Sequence, residues 1–161
     1  MLVIVDYGVG NVGSIKNMLK KIGSESIISS NIEEIKKADK IILPGVGSFD
    51  NGMEQLKKFN LIDILTEKVI NQKTPILGIC LGMQLFTQKS EEGKLPGLGF
   101  IDAETVKFKI NLRIPHMGWN LINIKKESSI YKEMYAESRF YFAHSYHVIC
   151  HNQSDVLTTT M

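Results

Sequence analysis

The first half of the chain alternates short continuous apolar runs with stretches whose apolar residues recur at helical spacing. Leu2 to Val5 is a run of the first kind, followed by the glycine-rich turn Asp6-Tyr7-Gly8-Val9-Gly10-Asn11. Ile15, Met18, Leu19 and Ile22 then fall on one face of a predicted helix that Gly23 stops. Ser26 to Ser29 predicts a short strand and Glu33 to Ala38 a short helix. Lys40 to Leu43 predicts a buried strand that runs into the loop Pro44-Gly45-Val46-Gly47-Ser48-Phe49. Leu56 to Ile70 reads as an amphipathic helix with Leu61, Ile62, Leu65 and Val69 on its core face. Pro75 to Cys80 is a further buried strand, and a helical pattern starts directly after Cys80. Strands separated by helices in this way indicate a parallel sheet covered on both faces, with ligands bound at the carboxyl ends of the strands.

From Ile101 the pattern changes. Ser90-Glu91-Glu92-Gly93 and Pro96-Gly97-Leu98-Gly99 form a polar, glycine-rich loop, after which Ala103 to Ile110, Trp119 to Ile124 and Phe140 to Ile149 are all strand-like. Pro115-His116-Met117-Gly118-Trp119-Asn120 is placed between two of them. The predicted architecture is therefore α/β: a mainly parallel sheet flanked by helices, with an antiparallel β excursion after residue 100, in a single domain over residues 1–161.

Composition narrows the function. With 43% hydrophobic and 22% charged residues the chain is globular, and a net charge of +2 with scattered lysines gives no nucleic-acid footprint. Cys80 and Cys150 stand far apart without a secretory signal, which indicates a reduced cytoplasmic protein. No apolar run approaches the ~20 residues of a membrane span.

Cys80 is the candidate for chemistry. A lone cysteine ending an apolar strand is more often a core residue. Here it lies between Gly78 and Gly82 at a strand-to-helix turn, the arrangement that exposes the nucleophile of serine hydrolases. The N-terminus of the following helix would favour thiolate. The Pro44–Phe49 loop, also after a strand, exposes backbone N–H groups to an anion. Gly8, Gly10 and Gly13 spell a dinucleotide-binding motif in letters only, because no acidic residue follows at the ribose position, so no cofactor is expected; no metal site is expected either.

Six motifs in order along the chain resemble the class I (triad) glutamine amidotransferases, and within them the glutaminase subunits of imidazole glycerol phosphate synthase. They are Asp6-Tyr7-Gly8-x-Gly10-Asn11, Leu43 to Phe49, Gly78 to Gln84, Ser90 to Gly93, Pro115 to Asn120 and Phe142-Ala143-His144-Ser145-Tyr146. The resemblance implies that Cys80 attacks the side-chain amide of glutamine and that backbone N–H groups of Val46 or Gly47 and of Leu81 hold the oxyanion. It implies that Gln84, Glu92, Ser145 and Tyr146 hold the amino-acid end of the substrate. It also implies that Asn11, His116, Met117 and Trp119 face a (βα)₈-barrel cyclase subunit that takes the ammonia for histidine biosynthesis. The family's general base lies in a His-Pro-Glu motif on a later strand, and none of Pro44, Pro75, Pro96 and Pro115 follows a histidine. The expectation is a chain without the family's C-terminal strands, that motif and the last helix. Two alternatives accompany the reading: a paralogue feeding a sugar-modifying synthase of surface-polysaccharide biosynthesis, and a non-catalytic partner-binding subunit.

Overall fold

A computed structural model describes residues 1–111, 113–131 and 137–160. Its central sheet has four parallel strands, β1 (Leu2–Val5), β2 (Ile27–Ser29), β3 (Lys40–Gly45) and β4 (Ile76–Cys80), in the order β2-β1-β3-β4. Right-handed crossovers in that order put the first helix, α1 (Val12–Lys21), on one face. They put α2 (Ile32–Lys36), α3 (Phe49–Lys58) and α4 (Ile62–Thr66) on the other. The second face is the dry one: Val3, Val5, Ile41 and Leu43 pack with Ile35, Leu56, Leu61 and Leu65, all at most 1% exposed. The sheet order reverses between β1 and β3, so the turns that follow these two strands lie side by side at the edge where ligands bind.

The flanked parallel sheet agrees with the sequence pattern, but its two faces are unequal. α1 buries no residue, and Met18 and Ile22, on the predicted core face, are 58% and 68% exposed. One helix of ten residues, packed mainly against β1 and β2, covers too little of the sheet to bury its own stripe. The predicted helix over Leu56 to Ile70 is split. α3 begins at Phe49 and ends at Lys58, and Asn60 turns the chain at φ +54°, a left-handed conformation that asparagine tolerates. α4 then continues as one π-helical turn, Glu67–Asn71. Leu61 and Leu65 keep their places in the core, and the stem of Lys68 joins them while its Nζ donates to Lys36 O at 3.1 Å and Gln72 Oε1 at 2.9 Å.

Beyond α5 (Leu81–Gln84) the chain forms small β elements. β5 (Lys89–Ser90) and β6 (Ala103–Lys107) join β10 (Tyr146–Cys150), while β7 (His116–Leu121) pairs with β9 (Arg139–His144) in a separate antiparallel ribbon. β8 (Asn123–Ile124) pairs with β11 (Thr158–Thr159). Two boundaries differ from the sequence reading. The His116–Asn120 run is itself strand β7 rather than a link between strands. The Phe140–Ile149 strand is two strands that part at Ser145. Each half finds a different partner, and Ser145 O accepts from Phe108 N at 3.1 Å where the two ribbons diverge. Among the described residues no helix is long and apolar enough to cross a membrane.

Candidate functional site

Cys80 ends β4 and precedes α5 with φ +53° and ψ −116°, and its side chain is exposed. A non-glycine residue held there stores on the order of 1–3 kcal/mol of strain, which the surroundings must over-determine. They do so by close contact. A Cβ on Gly82 would lie 1.9 Å from the carbonyl oxygen of Leu43, one on Gly78 2.5 Å from Met83 Cα, and one on Gly45 2.7 Å from Gly82 N. The flanking glycines therefore serve close approach of strand to helix, while the sharp bend is made at Cys80 itself. α5 is only four residues long, so the summed helix dipole invoked from sequence has little length to build on, and its first N–H groups remain as local donors.

The last register pair of β3 and β4 is Gly45 with Cys80, which brings the Val46–Gly47 loop alongside the cysteine. Gly47 has φ +101° and Val46 is 57% exposed, so this loop is open to solvent. The loop hands directly into α3, whose first N–H, on Phe49, donates to Glu92 Oε2 at 2.9 Å. Asp50 returns the contact: its carboxylate accepts from Lys94 N and Leu95 N at 2.9 to 3.0 Å, and Gly93 is the residue whose absent Cβ makes room, at 2.0 Å from Asp50 Oδ1. The Glu92 loop is thus clipped to α3 from both sides.

Backbone donation from Leu95 and then Lys94 holds the Asp50 carboxyl below its usual range. A lowered native pKa means the clip is fully present above the unfolded value near ~4 and is lost as the pH falls through the native one. Asp50→Ala is expected to open this loop at neutral pH, and limited proteolysis or amide exchange over 91–96 checks it. The wild type should show the same opening only in acid.

Most of the residues singled out by the sequence converge. Val46, Gly47, Cys80, Leu81, Gln84, Glu92, Ser145 and Tyr146 line one cleft of about 420 Å³, closed by Pro115, Met117, Ala143 and His144. Gln84 is buried to 8% exposure, so its side chain belongs to the cleft wall rather than to a solvated face. Of the residues assigned to a partner face, Met117 reaches the rim. Asn11 caps α1, accepting from Ser14 N at 3.1 Å, and His116 and Trp119 lie outside the cleft. The remaining cleft residues, Pro115, Ala143 and His144, fall within the Pro115–Asn120 and Phe142–Tyr146 motifs; they meet at one end of the β7–β9 ribbon, where His116 pairs with His144, and no local pattern joins that end to Cys80.

His144 is the histidine in the cleft. Its Nδ1 donates to Tyr146 O at 2.7 Å, and its Nε2 stands 3.3 Å from His116 Nδ1, so both ring nitrogens are engaged away from the cysteine. His116 in turn stacks on Phe142 at 4.9 Å. Burial pushes the His147 imidazole down in pKa, and that ring stacks on Phe108 at 4.6 Å. Among the described residues no three His, Cys, Asp or Glu side chains are grouped to hold a metal ion.

The profile of the family "Glutamine amidotransferase class-I" matches residues 3–161. A protein of Methanococcus maripaludis named imidazole glycerol phosphate synthase subunit HisH 2 is 57% identical over 162 residues, covering 99% of this chain and 80% of that protein. A protein of the same name from Pseudomonas aeruginosa is 46% identical, covering 98% of this chain and 79% of that one. Among solved structures, a glutamine amidotransferase superimposes with a TM-score of 0.70 at 16% identity, over 97% of this chain and 78% of that one. A glutamine amidotransferase of Thermotoga maritima gives 0.62 at 14% identity, over 92% and 62%. These two likenesses bear on the fold.

Proposed function

The chain belongs to the class I glutamine amidotransferase family, and we propose that it is a glutaminase subunit of imidazole glycerol phosphate synthase in histidine biosynthesis. The observation that carries this reading is the strained, exposed Cys80 facing the Val46–Gly47 loop across a cleft walled by Gln84 and Glu92. Residues 1–161 are read as belonging to a single amidotransferase domain.

In this reading Cys80 Sγ attacks the carboxamide carbon of glutamine. The C–N bond breaks, ammonia leaves, and water then cleaves the thioester to free glutamate and restore the thiol. The N–H groups of Leu81 and of Val46 or Gly47 hold the oxyanion, donors worth roughly 3–4 kcal/mol each. Gln84, Glu92 and the Ser145–Tyr146 backbone hold the amino-acid end of the substrate. Glu92 commits one oxygen to Phe49 N–H, and the other serves the substrate ammonium. No His-Pro-Glu sequence occurs among these 161 residues, and His144 is engaged elsewhere. Proton transfer by a positioned base contributes ~10²–10⁴ in rate, so residues 1–161 alone are expected to be slower by that factor.

The partner of this subunit is a cyclase of (βα)₈-barrel fold, docked as a heterodimer in the cytoplasm on the face that holds Met117 and Trp119. Supporting this, Met117 and Trp119 are 64% and 68% exposed on one side of the β7–β9 ribbon, and Trp119 meets Tyr141 edge-on at 5.7 Å. An exposed, braced tryptophan is a natural interface anchor. Asn11 and His116 belong to the proposed partner interface as well; Asn11 caps α1 and His116 stacks on Phe142. Trp119→Ala is expected to weaken the complex by ~2 kcal/mol, about 30-fold in Kd by titration calorimetry, with the fold unchanged.

Rescue of a histidine auxotroph that lacks its own glutaminase subunit tests the function. Growth that depends on Cys80 supports the reading. Equal growth with Cys80→Ala would favour a non-catalytic docking subunit, and no growth would favour a paralogue serving a sugar-modifying synthase.

A further inference from the structure

We propose that Tyr7 is a positioning residue for the glutaminase reaction: its buried hydroxyl fixes the Pro44–Gly45 peptide and, through it, the Val46–Gly47 loop beside Cys80. The inference rests on the reading above, and nothing in that reading uses Tyr7.

The strand register shows why a side chain is needed here. The last pair of β1 with β3 is Ile4 with Ile42, so at Pro44, two residues on, β3 keeps its pairing with β4 but has lost its neighbour on the β1 side. Tyr7 takes that place from the first turn after β1. It is wholly excluded from solvent, and its hydroxyl donates to Pro44 O at 2.5 Å. Burial raises its pKa well above the usual tyrosine value, so the hydroxyl stays a donor across the working pH range.

The surroundings leave little slack. A Cβ on Gly45 would lie 2.9 Å from the Tyr7 hydroxyl oxygen, 2.9 Å from Leu81 Cβ and 2.7 Å from Gly82 N, so hydroxyl, loop and elbow meet at one point. From the other side Gly10, at φ +105°, backs Pro44: a Cβ there would sit 3.0 Å from Pro44 Cβ. The peptide is planar, so fixing the Pro44 carbonyl also fixes the direction of the Gly45 N–H and the start of the Val46–Gly47 turn. The chain beyond is intrinsically pliant, with glycine at both 45 and 47. Without the hydroxyl the buried carbonyl loses its donor, and the pairing with β4 alone is left to hold the plane. The cost would fall on the oxyanion donors and not on the contacts that bind glutamine, which Tyr7 does not touch.

Tyr7→Phe, prepared with the partner subunit bound, tests this by amide hydrogen exchange over residues 45–48 and by glutamine kinetics. The expected result is exchange about tenfold faster in that segment alone, kcat lower by about tenfold, and KM within about twofold of wild type. Unchanged exchange would overturn the proposal. So would local loosening with kcat unchanged, or exchange that rises evenly over the whole sheet, which is what a merely structural role gives. Should the wild type release no glutamate from glutamine, the glutaminase reading fails by itself, and the exchange arm still decides whether Tyr7 holds the loop.

Discussion

An alanine at Gly82 is expected to cost more than ~3 kcal/mol of stability and to leave the elbow unmade in whatever folds. The added methyl would stand 1.9 Å from the Leu43 carbonyl oxygen and 3.1 Å from the Pro44 carbonyl carbon. Neither obstacle is a flexible side-chain tip; both are backbone of β3, held at this point by its pairing with β4. Relief would require separating α5 from the sheet, and with it Leu81 and Leu85, both at most 1% exposed. Urea denaturation measures the loss. Gly13→Ala is the comparison: its methyl would meet only Asn11 Oδ1 at 4.0 Å, within α1, so it should be neutral or stabilising by up to ~1 kcal/mol. If the two variants were equally stable, the close-packed elbow would be wrong.

Cys80→Ala is expected to remove glutamine hydrolysis by at least about 10³-fold while leaving the melting temperature almost unchanged, since the exposed sulfur packs against little. Rate and stability separate here because the strain sits in the backbone, which alanine retains. Cys80→Gly, free of that strain, should also be inactive but more stable by about 1 kcal/mol. Cys150 supplies the contrast: it is half-buried in β10, and burial pushes its thiol pKa up, so Cys150→Ala should leave hydrolysis intact. A steady-state assay of glutamate release by the complex, run beside thermal melts of all four proteins, checks the set.

The parts of this site that could be read from the sequence are those whose chemistry is written in consecutive residues. Gly78 to Gly82 and Pro44 to Gly47 each carry their geometry locally, and the alternation of apolar runs with helical spacing was enough to place both at one end of a parallel sheet. What escaped depended on partners distant in the chain. Ser145 divides two strands, but the strand-like character of Phe140 to Ile149 continues on both sides of it, and only the pairing of β9 with β7 and β10 with β6 reveals the division. Leu85 and Phe86 continue the helical pattern after Cys80, yet α5 stops at Gln84. Leu85 O instead accepts from Leu98 N at 2.8 Å and Phe86 O from Ile101 N at 3.2 Å. The clip between Asp50 and Gly93 joins residues 43 apart through a missing side chain, which no periodicity signals. Met18 and Ile22 show the converse: the helix forms as the spacing dictates, but a spacing cannot say whether its apolar stripe finds a surface to cover.

The central claim is that Cys80 is the glutamine-attacking nucleophile of this cleft, and a glutamine-shaped chloroketone tests it most directly. Peptide mass spectrometry after incubation should find the label on Cys80, at one per chain, suppressed by added glutamine and absent from Cys150. Labelling that glutamine does not suppress, or that falls on Cys150 in preference to Cys80, would contradict the account.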